Sequence, residues 1–443
     1  MDYTYKNIWL INYPVMMSVL MEQLINITDA IFLGHVGETE LGASAIAGLY
    51  YLILYMLGFG FSVGLQVMIA RRNGERKYSD TGKTFFQGLW LLILLSFILY
   101  SLSGLFSPAI MQHLLHSEEV SGAVMAYLKW RIPGVLFVFP ALAFRSFFVG
   151  TINTKMLTAN AVIMVSSNII LNYLLIFGKG FFPALGIEGA AMASSISELI
   201  SLVIYIWYAI FKTDKNKYGL TPVYDWAIQV RLLRISIWSM LHSFISVAPW
   251  FLFFISIEHL GKTQLAIANI IRSISSLFFV IVSSLAATTS SLVSNLIGEG
   301  KAEEMKVLCR KIIRLGYLIG IPLIMLATLF HENIIGIYTN NENLIQQAFW
   351  PFMVMLSNYL FALPSYVCMN AVSGTGATRK TFIFQVITIF FYILYLHLLN
   401  TLTHVPLAVY WTVEHLFVLL LLLFSMVSLR RTWNKNNKEN AIL

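Results

Sequence analysis

Apolar runs of about eighteen residues or more recur from one end of the chain to the other, and a run of that length crosses a hydrocarbon core of roughly 30 Å as a helix. Of the 443 residues, 58% are hydrophobic and only 11% charged, against about 25% charged in an ordinary soluble domain. Such a chain cannot face water on every side, so its solvent is lipid. The net charge of +8 does not indicate nucleic acid, because the basic residues sit in short connectors between apolar runs and not on one soluble face. The first run is longer than a signal-peptide core and no small-residue cleavage site follows it, so it reads as a retained first helix. Cys309 and Cys368 are too few for a disulfide framework and read as packing residues.

The runs predict spans at 8–33, 45–70, 84–104, 123–150, 156–177, 186–211, 232–257, 269–297, 308–330, 347–373, 381–403 and 405–428. Lys and Arg then separate by connector. One side holds Lys6; Arg71, Arg72, Arg76, Lys77 and Lys83; Lys155; Lys212, Lys215, Lys217, Arg231 and Arg234; Lys301, Lys306, Arg310, Lys311 and Arg314; Arg379 and Lys380; and Arg430, Arg431, Lys435 and Lys438. The other side holds only Lys179 and Lys262. By the positive-inside rule both termini are cytoplasmic, in a multi-pass protein of the plasma or inner membrane.

Sliding the chain against itself by 224 residues aligns its punctuation without a gap. Gly37, Thr39 and Leu41 fall on Gly261, Thr263 and Leu265; Gly74, Glu75 and Lys77 on Gly298, Glu299 and Lys301; Pro140 on Pro364; and Gly150, Thr151, Thr154 and Lys155 on Gly374, Thr375, Thr378 and Arg379. Aligned glycines, prolines and loop charges are far rarer by chance than matches between apolar helices. The expected fold is therefore all-α and integral to the membrane, with twelve transmembrane helices as two parallel six-helix repeats. The lobes divide as 1–215 and 216–443. Six spans per half is an even number, so both halves insert the same way up. This duplication favours a transporter over a channel.

A carboxylate near mid-membrane costs roughly 2.5–3.5 kcal/mol on insertion scales and is a functional candidate by default. Glu22, Asp29, Glu198 and Glu414 qualify. Glu22 and Asp29, seven residues apart, project from one face of the first helix about 10 Å apart, and their mates at the 224 offset are Ser246 and Phe253. Each reads either as a cation or proton site or as a protonated carboxyl bonded to a neighbouring helix. Asn168 and Asn172 share one face of the fifth helix, at a depth similar to that of Asp29. They read either as oxygen ligands completing a hard-cation shell or as interhelical hydrogen-bond glue. Glu198 lies deeper, as a second carboxylate or a partner for a basic group. Glu414 reads as structural, capped by Trp411 or His415 near the outer interface. Lys129 and Arg131 open the fourth helix and can snorkel outward, while Arg145 and Arg272 have no partner that spacing identifies. Aromatics make up 14% of the chain and there are 18 methionines. Mostly packing, such side chains also suit flat cationic substrates through cation–π contact and adaptable packing.

Catalytic motifs are absent, so no enzyme and no cofactor is expected. His113 and His116 lack the further spaced ligands a metal site needs. No loop is long enough for a nucleotide-binding domain.

The stretches NITDAIFLGHVGETELGASAIAG (26–48), FRSFFVGTINTK (144–155) and NIILNYLLIFGKGFFPALGIEGAAMASSISE (168–198) resemble the multidrug and toxic compound extrusion family, and the repeat carries the resemblance through the whole chain. It implies ion-coupled efflux, with Asp29, Asn168, Asn172 and Ser194 (or Ser195) as the sodium or proton coupling residues; Glu22 and Glu198 are secondary candidates on their membrane depth alone. Some members carry a second carboxylate where this chain has Asn172. Others have one on the seventh helix, where Ser246 is the nearest match, and another on the tenth, near 362–365. The expected function is a cation-coupled antiporter, monomeric in the lipid bilayer, that exports small organic, cationic compounds by alternating access. The alternative within the superfamily is a lipid-linked saccharide flippase. Its cavity should be strongly basic, and intramembrane cations are few. A channel and an integral membrane enzyme are the other classes weighed.

Overall fold

The computed structural model describes residues 3–114, 118–180, 182–258, 260–339, 341–402 and 405–440. Among them, twelve helices are long and apolar enough to cross a membrane: Tyr5–Gly34, Thr39–Gly74, Tyr78–His113, Glu118–Gly150, Lys155–Phe177, Gly186–Phe211, Trp226–Ile257, Thr263–Gly298, Ala302–Leu329, Glu342–Gly374, Thr378–Thr401 and Leu407–Arg431. These are the first to twelfth spans below. The protein is all-α and no strand occurs among the described residues. Most helices overrun the ends that hydropathy sets. The helix Glu38–Gly74 has 37 residues, about 55 Å at 1.5 Å per residue, so its polar last turn, with Arg71 and Arg72, continues past the apolar stretch.

The twelfth span is interrupted at Trp411, between Leu407–Tyr410 and the helix from Thr412, and two further spans are interrupted, each beside a proline whose missing N–H breaks the helical ladder. The fourth passes through a 3₁₀ turn, Ile132–Gly134, that contains Pro133. The seventh breaks between Trp226–Ile245 and Ala248–Glu258, next to Pro249.

The two-repeat architecture is visible in the helix ends. The helix Glu38–Gly74 has its counterpart in Lys262–Gly298, and the span Glu118–Gly150 in Glu342–Gly374, each displaced by 224 at both ends. Left-handed backbone repeats at the same offset: Arg76 (φ 59°) matches Gly300 (φ 76°), and Ile152 (φ 62°) matches Gly376 (φ 89°). A β-branched residue in that region is strained by roughly 1–2 kcal/mol, which its glycine mate avoids. Ile152→Gly is therefore expected to stabilise the fold by about 1 kcal/mol, after allowing for the greater unfolded-state entropy of glycine. A higher midpoint in a thermal melt in detergent checks this. An unchanged or lower one would mean that the packing of the Ile152 side chain outweighs the strain.

Contacts divide the chain into two units, Tyr13–Phe244 (the N unit) and Met1–Asn12 with Ile245–Leu443 (the C unit). The division does not fall at 215/216, because the start of each half's first span packs with the other half's helices. In the C unit, the Asn12 Oδ1 accepts from Thr288 Oγ1 at 3.0 Å and Lys311 Nζ donates to the Tyr3 carbonyl at 2.9 Å. In the N unit, Gly60 and Gly64 let the seventh span approach closely. A Cβ on Gly60 would lie 2.5 Å from the Ser239 carbonyl oxygen and one on Gly64 2.3 Å from Ser236 Oγ, so small residues set this helix contact.

Candidate ion-coupling site

In the N unit the first, fifth and sixth spans bring Asp29, Asn168, Asn172 and Ser194 into one hydrogen-bonded cluster. Asn172 Nδ2 donates to Asp29 Oδ1 at 2.5 Å and Ser194 Oγ donates to Asp29 Oδ2 at 3.0 Å. Behind them, Asn172 Nδ2 also reaches Asn168 Oδ1 at 3.1 Å, and Asn168 Nδ2 donates to Ser194 Oγ at 3.3 Å. The one-turn spacing of the two asparagines puts both amides on the face that meets the first span. Asn168 and Asn172 are fully buried and Ser194 is 3% exposed, whereas Asp29 is only partly buried. Asp29 is thus the least buried residue of the cluster.

Hydrogen bonds to a charged group are worth about 1.5–3 kcal/mol each, and desolvating a carboxylate costs several kcal/mol. Two such bonds and the desolvation roughly offset one another, so a proton or metal cation on Asp29 can tip the balance. The buried Asn172 Oδ1 has no hydrogen-bond donor. With the Asp29 oxygens, Asn168 Oδ1 and Ser194 Oγ it makes a set of hard oxygen donors, the kind sodium prefers.

The two neighbouring carboxylates, Glu198 and Glu22, each belong to an ion pair. Glu198 is not an isolated carboxylate: the Arg131 guanidinium grips it at both oxygens, 2.8 Å each. Tyr51 donates to the same carboxylate at 3.0 and 3.1 Å, and its ring lies 3.6 Å from the Arg131 guanidinium carbon. Side-chain exposures of 13% and 12% place the pair inside the bundle. Arg131 therefore does not snorkel outward as its sequence position suggested. The fourth span begins at Glu118, earlier than hydropathy placed it, and this carries Arg131 more than three turns into the helix. Gly134 makes room for the pair, since a Cβ there would sit 2.4 Å from Glu198 Oε2.

Glu22 does not join Asp29 in one cluster of bonds but lies 3.7 Å from Arg145, which supplies the partner that sequence could not assign. Arg272, in the C unit, lies over the Phe254 ring at 5.5 Å. Ser195, the alternative to Ser194, donates to the Trp130 carbonyl at 2.7 Å.

Glu414 is capped by neither Trp411 nor His415. The Tyr392 hydroxyl donates to its Oε1 at 2.8 Å, while His415 Nε2 meets Ser357 Oγ at 2.9 Å. His415, adjacent on the helix, diverges from Glu414 by about 100°, and the Trp411 ring packs against Phe253 and Trp250. Nothing in the sequence singles out Tyr51 or Tyr392, because a tyrosine in an apolar run carries no signal of which helix its hydroxyl meets. Cys309 and Cys368 are both free and buried. His113 is described, and His116 lies outside the described residues.

A protein-family model described as MatE matches the chain twice, over residues 14–174 and 239–398, which is the internal repeat again at an offset of 224 to 225. Among curated relatives, the multidrug resistance protein MdtK of Yersinia pseudotuberculosis is 25% identical over 373 residues, 83% of this chain and 79% of that protein. The probable multidrug resistance protein NorM of Pasteurella multocida is 24% identical over 353 residues, covering 77% and 75%. Among solved structures, an outward-facing multidrug resistance transporter of the MOP superfamily superposes with a TM-score of 0.91 at 17% identity, covering 99% of this chain and 97% of the other. A MOP superfamily transporter from Pyrococcus furiosus gives 0.86 at 19% identity, covering 99% and 96%. At these identities the structures speak for the fold.

Proposed function

This chain belongs to the MatE family of multidrug and toxic compound extrusion transporters, and on that premise we propose that it is a secondary active antiporter exporting organic, cationic compounds in exchange for inward sodium or protons. The observation that carries the reading is the Asp29 cluster: one carboxylate at membrane depth bonded to Asn172 and Ser194, with an unpaired amide oxygen beside it. A site of this kind holds a cation when loaded and loses its charge balance when empty. This is the differential affinity that lets an ion bias a conformational equilibrium. The relatives' names, multidrug resistance proteins in both cases, support the substrate class. In this reading the protein works as a monomer, with both termini cytoplasmic, by alternating access.

The test is efflux of a cationic dye from proteoliposomes under sodium and proton gradients imposed separately. One gradient is expected to drive dye uphill and the other not, which also identifies the ion. Dye movement only down its own gradient, whatever ion is imposed, would rule out coupling.

A further inference from the structure

The internal repeat supplies a comparison within one chain. At the 224 offset the N unit's polar set Asp29, Asn168, Asn172 and Ser194 becomes Phe253, Tyr392, Leu396 and Val418, and Glu22 with Arg145 becomes Ser246 with Met369. The C unit thus lacks the N unit's carboxylates at every one of these places. It carries one where the N unit has none: Ala190 falls on Glu414. Glu414 lies one turn before Val418 on the same span, and its hydrogen-bond donor is Tyr392, the residue at the place of Asn168. Phe253, at the place of Asp29, packs edge-on against Trp411 at 5.0 Å, three residues from Glu414. A carboxylate therefore reappears among the seventh, eleventh and twelfth spans, reached from a different helix.

We propose that Glu414 and Tyr392 form a second ion-coupling site, in the C unit, whose ligand is a proton. The ligand follows from the donor set. Around Asp29 three side chains offer oxygens for a metal cation, whereas Glu414 has one hydroxyl, too few for a hard cation that expects about six oxygen ligands. Among the described residues no Lys or Arg forms an ion pair with Glu414. The titratable groups facing it are Tyr392 of the eleventh span and Tyr366 of the tenth, with His415 next to it bonded to Ser357. None supplies a fixed positive charge. An ionised carboxylate so placed is undercompensated. Protonation on Oε2 removes the charge and leaves Oε1 accepting from Tyr392, so the site changes charge without rearranging. It does not depend on Asp29 being the coupling residue of the N unit.

Infrared difference spectra of the protein in proteoliposomes, recorded between neutral and acid pH without any transported compound, read this directly. Wild type is expected to gain a protonated-carboxyl C=O band on acidification that Glu414→Gln lacks. Tyr392→Phe should keep that band at a shifted frequency, because the accepted hydrogen bond is gone, and this variant keeps the test open if Glu414→Gln folds poorly. Asp29→Asn should retain the band, which separates this site from the one in the N unit. A Glu414→Gln spectrum with every wild-type carboxyl band, or a band unmoved in Tyr392→Phe, overturns the proposal.

Discussion

Asp29→Asn is expected to leave expression and fold intact and to abolish gradient-driven export. Asparagine keeps the size of the side chain and an oxygen that can accept from Asn172 or Ser194, so the cluster retains most of its bonds. What disappears is the charge. At a membrane potential of about 100 mV, one inward positive charge is worth about 2.3 kcal/mol, which is roughly a fifty-fold concentrating capacity, since about 1.4 kcal/mol is tenfold. A carrier that no longer exchanges that charge should only equilibrate its substrate, to the ratio that the membrane potential alone sets. Asn172→Ala and Ser194→Ala each remove one of the two bonds to Asp29 and should weaken transport without abolishing it. Dye accumulation in proteoliposomes at matched protein levels checks all three. Wild-type accumulation by Asp29→Asn would remove the basis for placing the coupling site in the N unit.

The second large effect concerns the Arg131–Glu198 pair. Removing one partner of a buried ion pair costs about 3–5 kcal/mol, because it strands the other charge, whereas replacing both by apolar residues is often neutral or stabilising by about 1–4 kcal/mol. The repeat already contains that replacement, since at the 224 offset Arg131 and Glu198 become Met355 and Leu422, and Met355 packs in the buried C-unit core. Arg131→Met and Glu198→Leu should each be strongly destabilising alone. The double variant should recover wild-type stability once Tyr51→Phe removes the hydroxyl that would otherwise lose its acceptor. Thermal melts of the singles, the double and the triple in detergent form the cycle that measures this. A triple variant as unstable as either single would show that the destabilisation does not arise from a stranded charge. Recovery would mean that the fold does not need the pair, and its presence in the N unit alone would then belong to transport.

Much of this architecture was legible because lipid makes hydropathy a strict rule. Twelve apolar runs had to be twelve helices, and the span 186–211 set by hydropathy matches the structural one at both ends. Where hydropathy misplaces an end, as at 123 for a helix that starts at Glu118, the consequence is specific: Arg131 falls at the interface and its pairing with Glu198 stays hidden. Asp29, Asn168 and Asn172 were legible for a different reason, whereas Ser194 entered only through the family resemblance. Ionisable and amide groups are so costly at membrane depth that the few present stand out, and the one-turn spacing of Asn168 and Asn172 already placed them on one face.

Sequence by itself thus determined the class of solvent, the number of spans, the duplication and the short roster of polar residues that lipid would not tolerate without a purpose. These follow from periodicity and transfer energy along one helix at a time. Tertiary structure alone decided which of those residues meet: Glu22 with Arg145, Glu198 with Arg131 and Tyr51, and Glu414 with Tyr392. It also decided that residues 1–12 and 216–244 pack across the boundary between the halves. A pairing between helices depends on their rotation and on the depth at which one faces another. A helix sequence specifies which residues share a face and leaves open which neighbour that face will find.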